Sequence, residues 1–279
     1  MPGKVLERRW IMGAALRRRR TVLGWGLADA ARVLGTGKSA VSRIESGERG
    51  ARPEQLAVLL EAYEVPAGER EFLLRLAAAR EPGWWEGYAD ILAESFRRYL
   101  AIEAEAARVL ACDGQRVPPV LRTADYARAV AVFDPLVPVG AEGRVAEATG
   151  LRRQAVLASG ARVTAVVGEA ALRRRSLPAR VMRAQLRVLA DAAANGDAEV
   201  RVVPAGAGPH ALSGSGPAVL ASLPHVLSWG YVFADTLAGG LLLDSRQDVA
   251  RYLVAFARLD DVALSAGDSA ELLRRLAGG

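Results

Sequence analysis

Cysteine is nearly missing from this 279-residue chain, which has only Cys112. One thiol excludes a disulfide framework and a thiolate-held metal cluster within a single chain, and it is what a reducing compartment leads one to expect. The cytoplasm is therefore the expected location. Histidine is almost as scarce: His210 and His225 lie fifteen positions apart, with no further ligands at metal-binding spacing, so no metal and no cofactor are expected. No run of eighteen apolar residues occurs, and Met1–Arg9 lacks the apolar stretch of a signal peptide, so neither membrane insertion nor export is expected. There is no Gly-x-Ser-x-Gly elbow, and Cys112 reads as a buried, inert thiol, so no catalytic residue is assigned.

What is present fits a folded chain of two domains. Half the residues are hydrophobic (51%) and a quarter charged (24%), which excludes wholesale disorder. The formal net charge of +6 is informative once it is located. Residues 1–52 hold 12 Lys/Arg against 4 Asp/Glu, a net of +8, and the other 227 residues carry a net of −2. A basic module on a near-neutral body points to a polyanion. Nucleic acid fits better than lipid, because no Lys/Arg-rich amphipathic helix with an aromatic apolar face accompanies the charge.

The pattern predicts an all-α domain over 1–81 and a larger α+β domain with a mostly antiparallel sheet over 82–279. Five helices are expected in the first part. One carries Ile11, Leu16 and Leu23; one spans Leu27 to Leu34; one begins near Lys38 and stops at Gly47; one opens after Pro53; and a fifth follows. Gly83-Trp84-Trp85-Glu86-Gly87-Tyr88 reads as a docking segment or linker, with helical spacing resuming through Phe96, Leu100 and Val109. Helices are expected over 123–134 and 142–158, after Pro178, and around Val249, Leu253 and Phe256. Strands are expected at 162–168, 199–204, 217–223, 226–234 and 240–243.

Two short helices joined by Gly35-Thr36-Gly37 form a helix-turn-helix pattern, whose second helix enters the major groove of DNA. Here that helix is Lys38–Ser46. Val41 and Ile44 turn inward by their spacing, which leaves Lys38, Ser39, Ser42 and Arg43 outward, all able to hydrogen-bond to bases or phosphates. The same glycines and Lys38-Ser39 also read like the end of a phosphate-binding loop. That loop needs glycine at position 32, where this chain has Arg32, and it follows a strand rather than joining two helices.

Gly24, Ala31-Arg32-Val33-Leu34-Gly35 and Val41-Ser42-Arg43-Ile44-Glu45-Ser46-Gly47 resemble the xenobiotic-response-element family of helix-turn-helix regulators over about residues 12–66. The resemblance implies base contacts from Lys38, Ser39 and Arg43, phosphate contacts from the start of the second helix and around Arg49 and Arg52, and an internal Arg20–Glu45 pair. Arg17 and Arg18 join Arg49 and Arg52 as expected phosphate contacts, and Ser42 on the reading helix is expected to contact DNA at either a base or a phosphate. Where the family often has a Ser or Asn cap followed by a phosphate-clamping Gln, this chain has Gly26 and Leu27, so one phosphate contact is missing.

Trp84-Trp85, Tyr88, Tyr99–Ala106, Val117-Pro118-Pro119-Val120-Leu121-Arg122-Thr123, Tyr126–Val130 and Val181–Leu186 resemble the large C-terminal domain of unknown function behind this helix-turn-helix in actinobacterial regulators. The resemblance implies a regulator whose second domain senses a small molecule or holds a small partner protein, in antitoxin-like fashion. The expected partners are thus double-stranded DNA, a second copy of the chain, and that small molecule or protein. Glu169, His210 and Trp229 are the candidate ligand-binding residues. The glycine-rich stretch Gly206–Pro217 reads as a flexible loop able to line a pocket. The runner-up function is a regulator-derived protein with weakened DNA binding, in which the second domain binds or transforms a small molecule.

Overall fold

Glycines and caps punctuate the first hundred residues into helices. The computed structural model describes residues 6–78, 82–210, 213, 216–223, 230–237 and 239–278. Within them the chain separates into two compact units, one inside Met1–Glu86 and one comprising Gly87–Leu223 and Leu227–Gly279.

The first unit holds α1 (Leu6–Val22), α2 (Leu27–Val33), α3 (Lys38–Glu45), α4 (Pro53–Ala62) and α5 (Ala67–Ala78). The end of α2 is a Schellman turn. The Thr36 N–H bonds the Ala31 carbonyl at 2.9 Å and the Gly35 N–H that of Arg32 at 3.3 Å, with Gly35 at φ +60°. α4 starts on Pro53, where a missing N–H costs nothing, and the Gln55 side-chain Oε1 accepts the Arg52 N–H at 3.2 Å. Ile11, Leu16, Val41, Ile44, Leu56, Leu59 and Leu60 form the fully buried centre.

The larger unit is built on a six-stranded sheet of order β3-β2-β1-β4-β5-β6. Its strands are β1 (Arg108–Asp113), β2 (Arg162–Gly168), β3 (Glu199–Val203), β4 (Ala218–Ser222), β5 (Gly230–Ala234) and β6 (Leu241–Leu243). The three pairs from β1–β4 to β5–β6 are antiparallel, while β1–β2 and β2–β3 are parallel, so the sheet is mixed. The connections explain the split. Helices α7 (Ala124–Ala131) and α8 (Glu142–Ala158) separate β1 from β2, and α9 (Glu169–Leu172) and α10 (Ala179–Asn195) separate β2 from β3, lengths that permit parallel crossovers. Among the described residues the later links have no such helices.

Two expectations change. Val109 lies in β1 rather than in a continuing helix: α6 (Glu94–Glu103) ends earlier, and Val109-Leu110-Ala111-Cys112 is a short apolar run buried on both faces, whose periodicity says nothing about its state. After α11 (Arg246–Arg258), beyond which the sequence pattern predicts no further helix, the chain forms α12 (Ala266–Gly278), which packs on α10 and β3. Ser265 caps it, accepting the Asp268 N–H at 3.1 Å.

Side-chain alternation sends Val232 of β5 to the face covered by Val249, Phe256 and Leu259. Its neighbour Phe233 points to the other face, with ring centroids 5.0 Å from Phe96 and 5.5 Å from Tyr99 of α6. Beside them Glu103 is buried, held by Arg152 at 2.6 and 2.7 Å and by the Tyr99 hydroxyl at 2.9 Å. No helix of the described residues is long and apolar enough to cross a membrane.

Candidate functional site

α3 is held from behind by three devices. Gly13 of α1 lets the helices touch, since a Cβ there would lie 2.5 Å from the Ile44 carbonyl oxygen. Arg20 forks onto Glu45, Nε to Oε1 at 2.7 Å and a terminal nitrogen to Oε2 at 2.9 Å, and its other nitrogen donates to the Trp25 carbonyl at 2.7 Å. One buried guanidinium thus joins α1, the approach to α2 and α3. Gly47 stops the helix at φ +77°, where a Cβ would meet the Trp10 Cα at 2.7 Å.

With Ala40, Val41, Ile44 and Glu45 buried, Lys38, Ser39, Ser42 and Arg43 are all exposed on one helix. Arg52 and Arg17 are also exposed, and Arg18 and Arg49 half-buried. The adjacent Arg19 and Arg20 belong to the fold: Arg19 pairs with the buried Glu69 of α5, and Arg20 with Glu45. The Arg19 pair had no signal in local sequence, because its partner lies fifty positions away. Gly26 supplies no side-chain cap to α2, although the Asp29 carboxylate accepts the Gly26 N–H at 2.9 Å. That bond orders the helix start but adds no group of the kind that clamps a phosphate.

In the larger unit, topology gathers one set of loops. β1, β2, β3 and β5 end, and β4 begins, at the same end of the sheet, the place where open α/β sheets bind ligands beside a reversal of strand order. A crevice of about 230 Å³ there is lined by Asp113, Gly168, Glu169, Val203, His210 and Pro217, among others. Glu169 and His210, singled out separately in the sequence, line this one crevice. Trp229 and His225 lie outside the described residues.

The Glu169 carboxylate accepts from Arg173 Nε at 2.6 Å and from the Ala205 N–H at 3.1 Å, and these bonds hold its pKa below the usual carboxylate value. Cys112 also lines the crevice. Burial first, then the Asp113 charge, push its thiol up to about 12, which leaves it protonated and unreactive.

Asp113 is the hub at the end of β1. Its Oδ1 accepts the N–H groups of Gln115 and Arg116, each at 2.9 Å, and its Oδ2 lies 3.4 Å from Arg116 and 3.6 Å from Arg122. Arg122 Nε donates to the Val117 carbonyl at 2.6 Å, and the buried Gln185 binds both the Leu121 carbonyl, at 2.9 Å, and the Thr123 N–H, at 2.7 Å. The Pro118–Thr123 segment is therefore a pinned turn that braces the crevice wall. No spacing in the sequence links Gln185 to it.

The first unit thus has the architecture of a helix-turn-helix DNA-binding domain, and residues 11–73 match the model of a helix-turn-helix domain. The chain belongs to the family defined by the domain of unknown function DUF5753, whose model matches residues 96–275. No curated protein and no solved structure shows a significant match. A helix-turn-helix domain suggests DNA binding and, through it, a role in transcription.

Proposed function

We propose that this chain is a sequence-specific transcription regulator of the xenobiotic-response-element type that works in the cytoplasm. It acts as a homodimer on two half-sites one helical turn apart, about 34 Å. The observation that carries the reading is the presentation of Lys38, Ser39, Ser42 and Arg43, all exposed on a helix whose other face is buried and clamped through Arg20–Glu45. Lys38, Ser39 and Arg43 discriminate bases, and Arg17, Arg18, Arg49 and Arg52 grip phosphates. Selection over random duplexes tests it. The wild-type protein is expected to enrich one motif of dyad symmetry, and a pool that stays random overturns the reading.

The larger unit, on this proposal, couples DNA binding to a small molecule or a small partner protein. Glu169 and His210 converging on one crevice at the sheet's carboxyl ends favours the small molecule. The same observation supports the alternative in which that unit is the working part and DNA binding is weak, as the missing clamp at Gly26 and Leu27 suggests. Binding of random duplex as a function of salt separates the two, since only a DNA-binding protein gives a steep slope.

A further inference from the structure

Beside the crevice of Glu169 and His210, the larger unit opens into a second and larger cleft of about 740 Å³. That volume lies within the roughly 300–1,000 Å³ typical of small-molecule sites. Separate stretches of chain wall it: Phe133, Pro135 and Leu136 after α7, Ser176 and Leu177 before α10, and Asp235–Leu237 after β5. Phe133 is 73% exposed and Leu237 83%. Large apolar side chains left in water singly are ordinary, but their convergence from separate elements on one concavity marks a binding surface.

The polar part of the cleft defines what would fit. Arg116 sits within 3.1 Å of Asp235, 3.4 Å of Asp113 and 3.6 Å of Asp134, Arg122 within 3.6 Å of Asp113, and Arg174 donates to the Gln115 carbonyl at 2.8 Å. Of these, Arg116, Arg174, Asp134 and Asp235 line the cleft itself, two arginines and two aspartates, so its lining carries no net charge. A charged ligand meets no net counter-charge and would lose hydration without full return, whereas an uncharged one incurs no such cost. Arg174 Nε is buried and has no hydrogen-bond acceptor among the described residues, so an oxygen on the ligand could satisfy it.

We propose that this cleft binds an uncharged, largely apolar small molecule that carries a carbonyl or hydroxyl oxygen. The site adjoins the crevice of Glu169 and His210, sharing Gln115 and Pro217 with it while its other lining residues differ, and it does not depend on the DNA-binding reading.

The neutral dye Nile red, which is apolar and bears one carbonyl, tests the proposal on the full chain. Its fluorescence is expected to rise saturably with one site per chain. Phe133→Ser and Leu237→Ser should each weaken binding about tenfold, the loss expected for one apolar contact. Both side chains are exposed, so thermal unfolding should stay unchanged, and Val254→Ser, at an exposed valine outside the cleft, should leave dye binding intact. Dye binding that is equal in all four proteins, or lost equally in the Val254 variant, overturns the proposal. So does sedimentation showing a dimer that Phe133→Ser and Leu237→Ser dissociate, because the cleft is then covered by a second copy.

Discussion

Arg20 and Glu45 are the residues on which the pose of α3 depends most. Their side chains are 10% and 4% exposed, so removing one partner strands the other charge. Arg20→Met or Glu45→Leu is expected to cost about 3–5 kcal/mol in denaturant unfolding, and the double variant much less than the two combined, because no charge is then left unpaired. Equal additivity in the double-mutant cycle would contradict the coupling. Cys112 is the second residue with a plain expectation. A thiol whose pKa lies at about 12 should resist a disulfide reagent at pH 8 in the folded protein and react fully once the chain is unfolded.

At the scale of elements, two glycines with similar backbone angles separate backbone strain from packing. Gly24, at φ +71°, has open space where a Cβ would stand, with no neighbouring atom within 4 Å, so Gly24→Ala should cost only the left-handed penalty of about 1–2 kcal/mol. Gly47→Ala adds a collision with the Trp10 backbone to the same penalty and should cost clearly more, measured by the unfolding midpoint. For the reading helix, Lys38→Ala or Arg43→Ala is expected to cost about 1–3 kcal/mol on the preferred duplex and to relax base preference there. Arg49→Ala should weaken all duplexes alike, as competition binding against scrambled sequences would show.

The helical elements are legible in the sequence because their apolar spacing and their stops agree: Val41 and Ile44 face inward, and Gly35 and Gly47 end the helices where left-handed backbone is required. β1 is not legible, since a four-residue apolar run is equally consistent with a buried helix turn or a buried strand. α12 does carry a local signal, Ser265 just ahead of it paired with Asp268 in its first turn, which apolar spacing alone does not reveal.

On the scale of the whole molecule, the charge asymmetry makes a quantitative expectation for DNA binding. The logarithm of the affinity should fall linearly with the logarithm of salt, and Arg49→Ala should reduce that slope by about 1 while the net −2 of residues 53–279 adds nothing to it. A slope indifferent to Arg49 would remove that side chain from the phosphate contacts.

Local order and class were determined by the sequence itself. The helix-turn-helix spacing, the basic module, the inward Val41 and Ile44 and the outward Lys38, Ser39, Ser42 and Arg43 all follow from periodicity and turn chemistry, which act over a few residues. Glu169 and His210 could be singled out one by one. Only the tertiary structure decided that they share a crevice, that Arg19 belongs to Glu69 rather than to a partner, that Gln185 pins the Pro118–Thr123 turn, and that Phe133 and Leu237 border one cleft. Each of these joins residues tens of positions apart. Arg19 meets Glu69 because α1 packs on α5, and in the larger unit the order β3-β2-β1-β4-β5-β6 brings the ends of distant strands together, which no short-range pattern encodes.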